Sequence, residues 1–291
     1  MKTIPSPRRK TAAPERSSVG RALTHLGSGT SSPYGSVAVL VSGGIESAAM
    51  LHRLSLRYGA VHPVYVRAGL LWERAELHWL RRLLRALRRP AIKPLTCLEL
   101  PVGDCYPSGH WSLSGRRVPD ARSPDETVYL PGRNALLLTK AATFCAGRGI
   151  DSIALGVLST NPFPDGSPRF LRLMARALSA GLGAPLRVIA PLAGMDKARV
   201  IGSSGDLPWK LTFSCKRPRG LRHCGECNKC AERNAGLAAA LSKAGRLPGL
   251  RPRRKAPTSI RLRPPWPSPE PGPRRHHHRS GSGRGDTRRA S

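Results

Sequence analysis

The 291-residue sequence predicts an α/β fold, a doubly wound parallel sheet followed by a shorter cysteine-bearing helical segment. Three observations carry this. Val37–Val41 is an apolar run that breaks at Ser42-Gly43-Gly44 into an amphipathic stretch from Ile45 to Arg57, the pattern of a buried strand, a tight turn and a helix. Apolar strand-like runs then alternate with helical ones to about residue 205, which implies right-handed βαβ crossovers. Beyond that the alternation stops and four cysteines fall between positions 215 and 230.

The elements follow in order. After the first strand and helix, Val61–Val66 reads as a second strand, and Pro63 within it predicts an edge or a strand start. Trp72 to Arg89 is an amphipathic helix with Leu77, Leu80, Leu84 and Leu87 on one face, closed by Pro90. Pro94–Leu100 is a third short strand. Residues 101–130 show no clear element, and a stretch of that length in an α/β domain predicts a functional loop. A helix starts at Pro131-Gly132-Arg133-Asn134 and runs to about Ala146. A buried strand from Asp151 to Leu158 ends in the polar turn Ser159–Gly166, where an open α/β sheet binds ligands. Helix Pro168–Ala180, strand Leu186–Ala190, a short helix opened by Asp196-Lys197 and a last helix from Ala231 to about Lys243 complete the pattern.

Charge bounds the function less than its size suggests. The formal net charge is +32. Residues 1–35 hold six basic residues and one acid, and residues 243–291 hold fourteen and two, so more than half of the excess lies at the ends. Both ends are rich in Pro, Ser and Gly, and read as disordered basic tails spanning 1–35 and 244–291. The folded part divides into an α/β domain over 36–205 and the cysteine-bearing segment with its helix over 206–243. Arginines such as Arg81, Arg82, Arg85, Arg88 and Arg89 read as a solvated helix face, with nucleic-acid binding as the competing reading. No run of eighteen apolar residues and no signal-peptide core is present, so neither a membrane nor secretion is expected, and a reducing cytoplasm is the expected location.

Two motifs carry chemistry. In the strand–Gly-Gly–helix unit, the glycines let backbone approach an anion, the first-turn N–H groups have no internal acceptors, and Ser42 and Ser47 add hydroxyls. No Gly-Lys-Ser/Thr follows, so this is not a Walker loop. The second motif, Cys215-x8-Cys224-x2-Cys227-x2-Cys230, is the spacing of a four-thiolate Zn²⁺ site, with Gly225 allowing the tight turn; an iron–sulfur cluster is the alternative. Four protein ligands leave no open position, so the metal's expected role is structural. Lys216, Arg217, Lys229 and Arg233 are expected to offset its negative charge, and His223 is a bystander or a substitute ligand. Cys97 and Cys145, on a strand and a helix, read as small core residues.

The loop Val41–Ala48 resembles the Ser-Gly-Gly-x-Asp-Ser pyrophosphate loop of the PP-loop ATP-pyrophosphatases. Together with Pro131–Asn134, Gly156 with Asn161 and Asp165, Pro191-Leu192 with Lys197, Ser214-Cys215 and Cys224-Gly225-Glu226-Cys227-Asn228-Lys229-Cys230 with Arg233, it is similar to the 7-cyano-7-deazaguanine synthase family of queuosine biosynthesis, over about Ser36 to Leu241. The resemblance implies an ATP-dependent ligase that adenylates the carboxylate of a deazapurine and lets ammonia displace the adenylate. It implies ATP, Zn²⁺ and Mg²⁺ as cofactors, and a homodimer. It places Val41, Ser42, Gly43, Gly44, Ile45, Glu46, Ser47 and Ala48 on the nucleotide, with catalytic roles for Ser42, Glu46, Arg133 and Lys197. Asn134, Asn161 and Asp165 fall to the substrate, and Cys215, Cys224, Cys227 and Cys230 to the metal. Two departures stand out. Glu46 replaces the family's usual Asp, moving the carboxylate outward by about one carbon–carbon bond, ~1.5 Å. The 101–130 loop, with Tyr106, His110, Trp111 and Asp125, has no counterpart in the pattern. The departures point, as an alternative, to a divergent ligase acting on another carboxylate; a further alternative is a PP-loop enzyme that modifies tRNA, with the basic tails holding the RNA.

Overall fold

In the computed structural model, residues 34–243 are described, residue 206 excepted. The expected basic tails lie outside the described residues, apart from the last two positions of the first. Five strands, β1 (Tyr34–Leu40), β2 (Tyr58–Arg67), β3 (Thr96–Glu99), β4 (Ser152–Ala154) and β5 (Arg187–Ile189), form one sheet in the order β3-β2-β1-β4-β5. Every pairing is parallel. The helices are α1 (Ile45–Leu54), α2 (Glu73–Leu87), α3 (Trp111–Ser114), α4 (Arg133–Ala146), α5 (Pro168–Leu182), α6 (Lys197–Gly202) and α7 (Asn228–Lys243).

The central strand shows why the sheet is doubly wound. Alternate residues of a strand face opposite sides. Val37 and Val39 point into a core shared with Ile45, Leu51 and Leu80, whereas Ala38 and Leu40 point into one shared with Leu138, Ala142 and Leu171. So α1 and α2 cover one face and α4 and α5 the other. Strand order reverses between β1, which continues to β2, and β4. That switch point opens a crevice at the carboxyl ends of the strands.

Three expectations need correction. Pro63 does not mark an edge or a strand start, because β2 pairs on both sides. Val61 exchanges bonds with Ala91 and Lys93, and the register then slips by one residue, from Val61 opposite Ile92 to Val64 opposite Thr96. Pro63 sits at that slip, on the side where its missing N–H breaks no ladder bond. The strand expected over 151–158 is only Ser152–Ala154, since past Leu155, which still donates to Ile189 O at 2.9 Å, the chain peels away to line the crevice. Cys145 is buried as expected, and burial pushes its thiol up to about 12. Cys97 is exposed instead, because β3 is the outer strand.

Candidate active site

The crevice holds a cavity of about 250 Å³. Ser42, Gly44 and Glu46 line it from the turn after β1, and Leu155 to Leu158 with Thr160, Asn161, Phe163 and Asp165 from the stretch after β4. Arg133 and Asn134 reach it from the start of α4, Lys197 from α6, and Phe213, Ser214, Lys216, Lys229 and Glu232 from the cysteine segment. Residues 90 to 190 positions apart in sequence thus share one wall because most of them sit at strand ends or helix starts, with Phe213, Ser214 and Lys216 added from the irregular part of the cysteine segment.

The turn after β1 is built to present backbone. Gly43 has φ +81°, and a Cβ there would meet Leu80 Cβ at 3.3 Å and Glu76 O at 3.4 Å. Both the conformation and the approach of α2 therefore call for glycine. Ser47 Oγ accepts from Ser42 N–H at 2.9 Å and closes the turn from behind. No side chain caps α1, and its first bond is Ala48 N–H to Gly44 O at 3.1 Å. The Ile45, Glu46 and Ser47 N–H groups therefore lack intrahelical acceptors, which is the arrangement that holds an anion. Val41 and Ala48 serve differently from the sequence expectation. Their N–H groups bond Val64 O and Gly44 O, and their side chains, with that of Ile45, are buried in the core.

Glu46 and Lys197 meet. Lys197 Nζ lies 2.6 Å from Glu46 Oε1 and 3.0 Å from Glu232 Oε1, and Glu232 Oε2 lies 2.7 Å from Lys229 Nζ. Burial alone would lower the Lys197 ammonium, but the two carboxylates raise it above the ordinary lysine range. Burial works against Glu232 as well, yet Lys197 and Lys229 hold its carboxyl down to about 2. Two glycines make room for this chain of charges. A Cβ on Gly156 would stand 3.1 Å from Glu46 Cβ, and one on Gly236 of α7 would stand 2.7 Å from Lys197 Cγ.

Arg133 lines the cavity with its Nε buried and unpaired among the described residues. Asn134 and Asp165 bind each other. Asp165 Oδ2 accepts from the Asn134 N–H at 2.9 Å, and Asn134 Nδ2 donates to Asp165 Oδ1 and O at 3.2 Å. Asp165 thereby acts as the missing cap of α4, whose own Gly132 offers none. Burial raises its carboxyl, against the pull of Asn134 and Arg133. Asn161 Nδ2 points to Phe163 O at 3.4 Å and leans over Gly166.

The four cysteines converge. All four Sγ atoms lie within 4.8 Å of one another and are buried. Cys224–Cys230 and Cys215–Cys227 separations of 3.9 and 4.0 Å are too long for disulfides and close to the edge of a tetrahedron about one ion with bonds of about 2.3 Å, ~3.8 Å. A multi-iron core needs its thiolates further apart. The N–H groups of Lys216, Cys224 and Cys227 donate to Cys227, Cys215 and Cys224 Sγ at 3.3 to 3.4 Å, and Gly225 has φ +81°. The donor set fits a metal ion. His223 stays outside it, receiving the Ser214 N–H at 3.4 Å and packing on Phe213.

The expected charge compensation is rearranged: Arg217 pairs with Glu226 at 2.6 Å, while Lys216 and Lys229 turn to the cavity. The cysteine segment and the phosphate-type turn touch directly, since Phe213 N–H donates to Gly43 O at 2.7 Å. It also anchors the 101–130 stretch, through Asn228 N–H to Pro119 O at 3.0 Å and Asn228 Nδ2 to Ser123 O at 2.7 Å. Trp72, Glu76 and Lys216, which the sequence did not single out as site residues, line the cavity. Their signal, an apolar or charged residue at a helix start or beside a ligand cysteine, is too common to read.

Among the described residues no helix is long and apolar enough to cross a membrane. Comparison with known proteins places the chain among ligases of one pathway. It is 32% identical over 235 residues to a 7-cyano-7-deazaguanine synthase of Anaeromyxobacter sp. strain Fw109-5, covering 72% of this chain and 94% of that protein. A 7-cyano-7-deazaguanine synthase 1 of Desulfitobacterium hafniense is 32% identical over 206 residues, covering 69% and 90%, and the 7-cyano-7-deazaguanine synthase of Leptospira interrogans is 28% identical over 232 residues, covering 73% and 90%. Among solved structures, the U34-tRNA thiolase NcsA from Methanococcus maripaludis matches with a TM-score of 0.40 and 13% identity, over 72% of this chain and 67% of that one. The family model described as queuosine biosynthesis protein QueC matches residues 36–241, the stretch that contains the turn, the cavity and the four cysteines, and the chain belongs to that family.

Proposed function

We propose that this chain is an ATP-dependent ligase that converts 7-carboxy-7-deazaguanine and ammonia to 7-cyano-7-deazaguanine. The observation that carries the reading is one cavity, at the switch point of the sheet, that joins a backbone anion cradle to two cations, Arg133 and Lys197. A carboxylate is a poor electrophile, so its oxygen first attacks the α-phosphorus of ATP and pyrophosphate leaves. The amide groups from Gly43 to Ser47 hold that pyrophosphate, by position and by charge. Arg133, with a buried unpaired N–H, receives oxygen acceptors from phosphate or carboxylate. Lys197, tethered by Glu46 and Glu232, stays protonated and fixed at the cradle's edge. Ammonia attacks the carbonyl carbon of the mixed anhydride, the C–O bond to AMP breaks with its electron pair leaving on AMP, and the nitrogen releases a proton, giving the amide. A second ATP activates the amide oxygen in the same way, and loss of AMP and a proton gives the nitrile.

Glu46 does in this reading what a shorter Asp would do only with a different lysine position. Its 2.6 Å contact with Lys197 uses the extra reach, and Gly156 leaves room for its stem. Asn134 and Asp165 hold the substrate-side wall in shape, and Asn161, whose Nδ2 points to Phe163 O, contacts the base from the rim. The four cysteines take Zn²⁺, closed by four thiolates and structural in role, which suits a reducing cytoplasm. For Mg²⁺ the described residues offer no cage of three carboxylates or histidines, Glu46 being tied to Lys197 and Asp165 to Asn134. Mg²⁺ would come with the nucleotide's phosphates rather than be held by these side chains.

The test is pyrophosphate release and mass spectrometry of the product from metal-loaded protein given ATP, ammonium and 7-carboxy-7-deazaguanine. The nitrile is expected, with activity lost in Arg133→Ala. ATP binding without nitrile would refute the substrate assignment and favour a ligase acting on another carboxylate.

A further inference from the structure

The wall of the cavity formed by the start of α2 and the cysteine segment, beside the phosphate-type turn, carries donors of which the reading above uses only Arg133. Trp72, just before α2, is 1% exposed, lines the cavity, and has its indole N–H buried without a hydrogen-bond partner among the described residues. Its ring is locked in place: Trp111 stacks on it at 5.6 Å and 17°, and His110 and Tyr106 continue the stack behind at 5.4 and 5.2 Å. Lys216 Nζ sits 4.2 Å from the Trp72 ring centroid and 3.2 Å from Glu76 Oε1. Glu76 is itself buried and receives the Tyr65 hydroxyl at 2.9 Å. Arg133 lines the same cavity and has the second buried unpaired N–H of this wall. Buried donors without acceptors are rare because each costs free energy, and a fold keeps them where a ligand supplies the acceptor.

We propose that Trp72, Lys216 and Arg133 form the subsite for the carboxylate of the acceptor, a flat heteroaromatic acid. This rests on the ligase reading above and goes beyond it by separating the acceptor's anion from the nucleotide's. Two features favour a carboxylate over a polyphosphate. Glu76 already offsets Lys216, so the wall suits one negative charge rather than several. Tyr129 and Phe163, stacked on each other at 5.2 Å, line the same cavity and match a flat ring attached to that charge, since stacking on an aromatic plane is how flat bases are held. Trp111, from the 101–130 segment, stacks on Trp72 from behind and holds its indole in place. The position of Lys216 next to Cys215 means that the metal centre also sets where this cation stands.

Trp72→Phe removes the N–H together with part of the indole ring and keeps an aromatic plane. Because Trp72 is fully buried, the lost ring atoms leave a small cavity and a modest fall in melting temperature is expected, so the test reads which ligand is weakened and not the melt alone. Calorimetric titration of the metal-loaded full chain would measure 7-carboxy-7-deazaguanine, 7-deazaguanine and ATP separately. Losing a hydrogen bond to a charged group is expected to weaken the carboxylate ligand by roughly ten- to a hundredfold in Trp72→Phe and in Lys216→Gln. Affinity for ATP, and for 7-deazaguanine, which lacks the carboxylate, is expected to stay as in the wild type. Unchanged carboxylate affinity in Trp72→Phe, or a loss that falls on ATP instead, would overturn the assignment. So would a lowered melting temperature with all three ligands weakened. Wild-type protein that binds ATP and not 7-carboxy-7-deazaguanine would overturn the ligase reading itself, and the subsite with it.

Discussion

Replacing Gly236 by Ala tests whether Lys197 must stand where it does. In the interior of α7 this change is ordinarily favourable, by about 1 kcal/mol, because alanine has the higher helix propensity. Here the added methyl would lie 2.7 Å from Lys197 Cγ and 2.9 Å from Cδ. Ordinary contact begins near 3.4 Å, so the lysine stem must retreat by roughly 0.5–1 Å, and overpacking of that kind costs about 1–3 kcal/mol. The atoms that clash are the stem's inner carbons, so the ammonium moves with them, away from Glu46 at 2.6 Å and Glu232 at 3.0 Å. The net stability change is then between about zero and 2 kcal/mol of loss, instead of a gain. A misplacement of this size in a positioning group is expected to lower kcat/KM for ATP about ten- to a hundredfold. Pyrophosphate release under saturating ammonium and a thermal melt read the two effects. Gly181→Ala in α5 is the control, since a Cβ there meets nothing within 4 Å. It is expected to raise the melting temperature by about 2–4 °C and leave the rate unchanged. If Gly236→Ala behaves like Gly181→Ala, with a higher melting point and the wild-type rate, the reasoning about Lys197 is wrong.

Two further outcomes are expected. Removing the metal with a strong chelator, or substituting Cys227→Ser, should release the segment that carries Phe213, and ATP affinity should fall with metal content, because Phe213 N–H is bonded to Gly43 O of the phosphate-type turn; ATP affinity untouched by complete metal loss would separate the two sites. For Asp165→Asn the expectation concerns pH. Burial raises the Asp165 carboxyl in the folded protein, so folded protein holds its proton at a pH where unfolded protein has lost it, and Asp165 becomes less costly as pH falls from its raised folded value toward the unfolded one near 3.9. The stability of wild type relative to Asp165→Asn, measured by denaturant unfolding, should therefore rise as pH falls through that window, and a constant or opposite difference would contradict the cause assigned.

Much of the fold was legible because its signals are local. An apolar run broken by Gly-Gly, and leucines at helical spacing before Pro90, depend on neighbours in sequence, and the structure places a strand, turn and helix there. Pro63 misled because whether its missing N–H matters depends on the register of the next strand, which no local pattern encodes. Four cysteines at short spacing were legible for the same reason as the glycines: the chemistry demands those residue types close together in sequence.

The cavity shows where local reading stops. Glu46 looked like a defect, a carboxylate one carbon too long, so long as its partner was unknown. Its partner is Lys197, 151 positions on, and the space for the pair comes from Gly156 and Gly236, neither of which carries a functional group. Nothing about Gly236 in sequence distinguishes it from Gly181, yet one faces a lysine stem and the other open space. Likewise Trp72 and Lys216 are ordinary at their positions, and only the docking of the cysteine segment beside α2, through Trp79 Nε1 to Leu221 O at 2.6 Å, brings an ammonium over an indole. The groups that bind by backbone or metal chemistry are written in motifs, because their geometry is made within a few residues. The groups that position charge are supplied by whichever elements the sheet brings to its carboxyl edge, so a substitution such as Asp to Glu in the turn is compensated by residues far away in the chain, and its effect is readable only from the pairings of the folded protein.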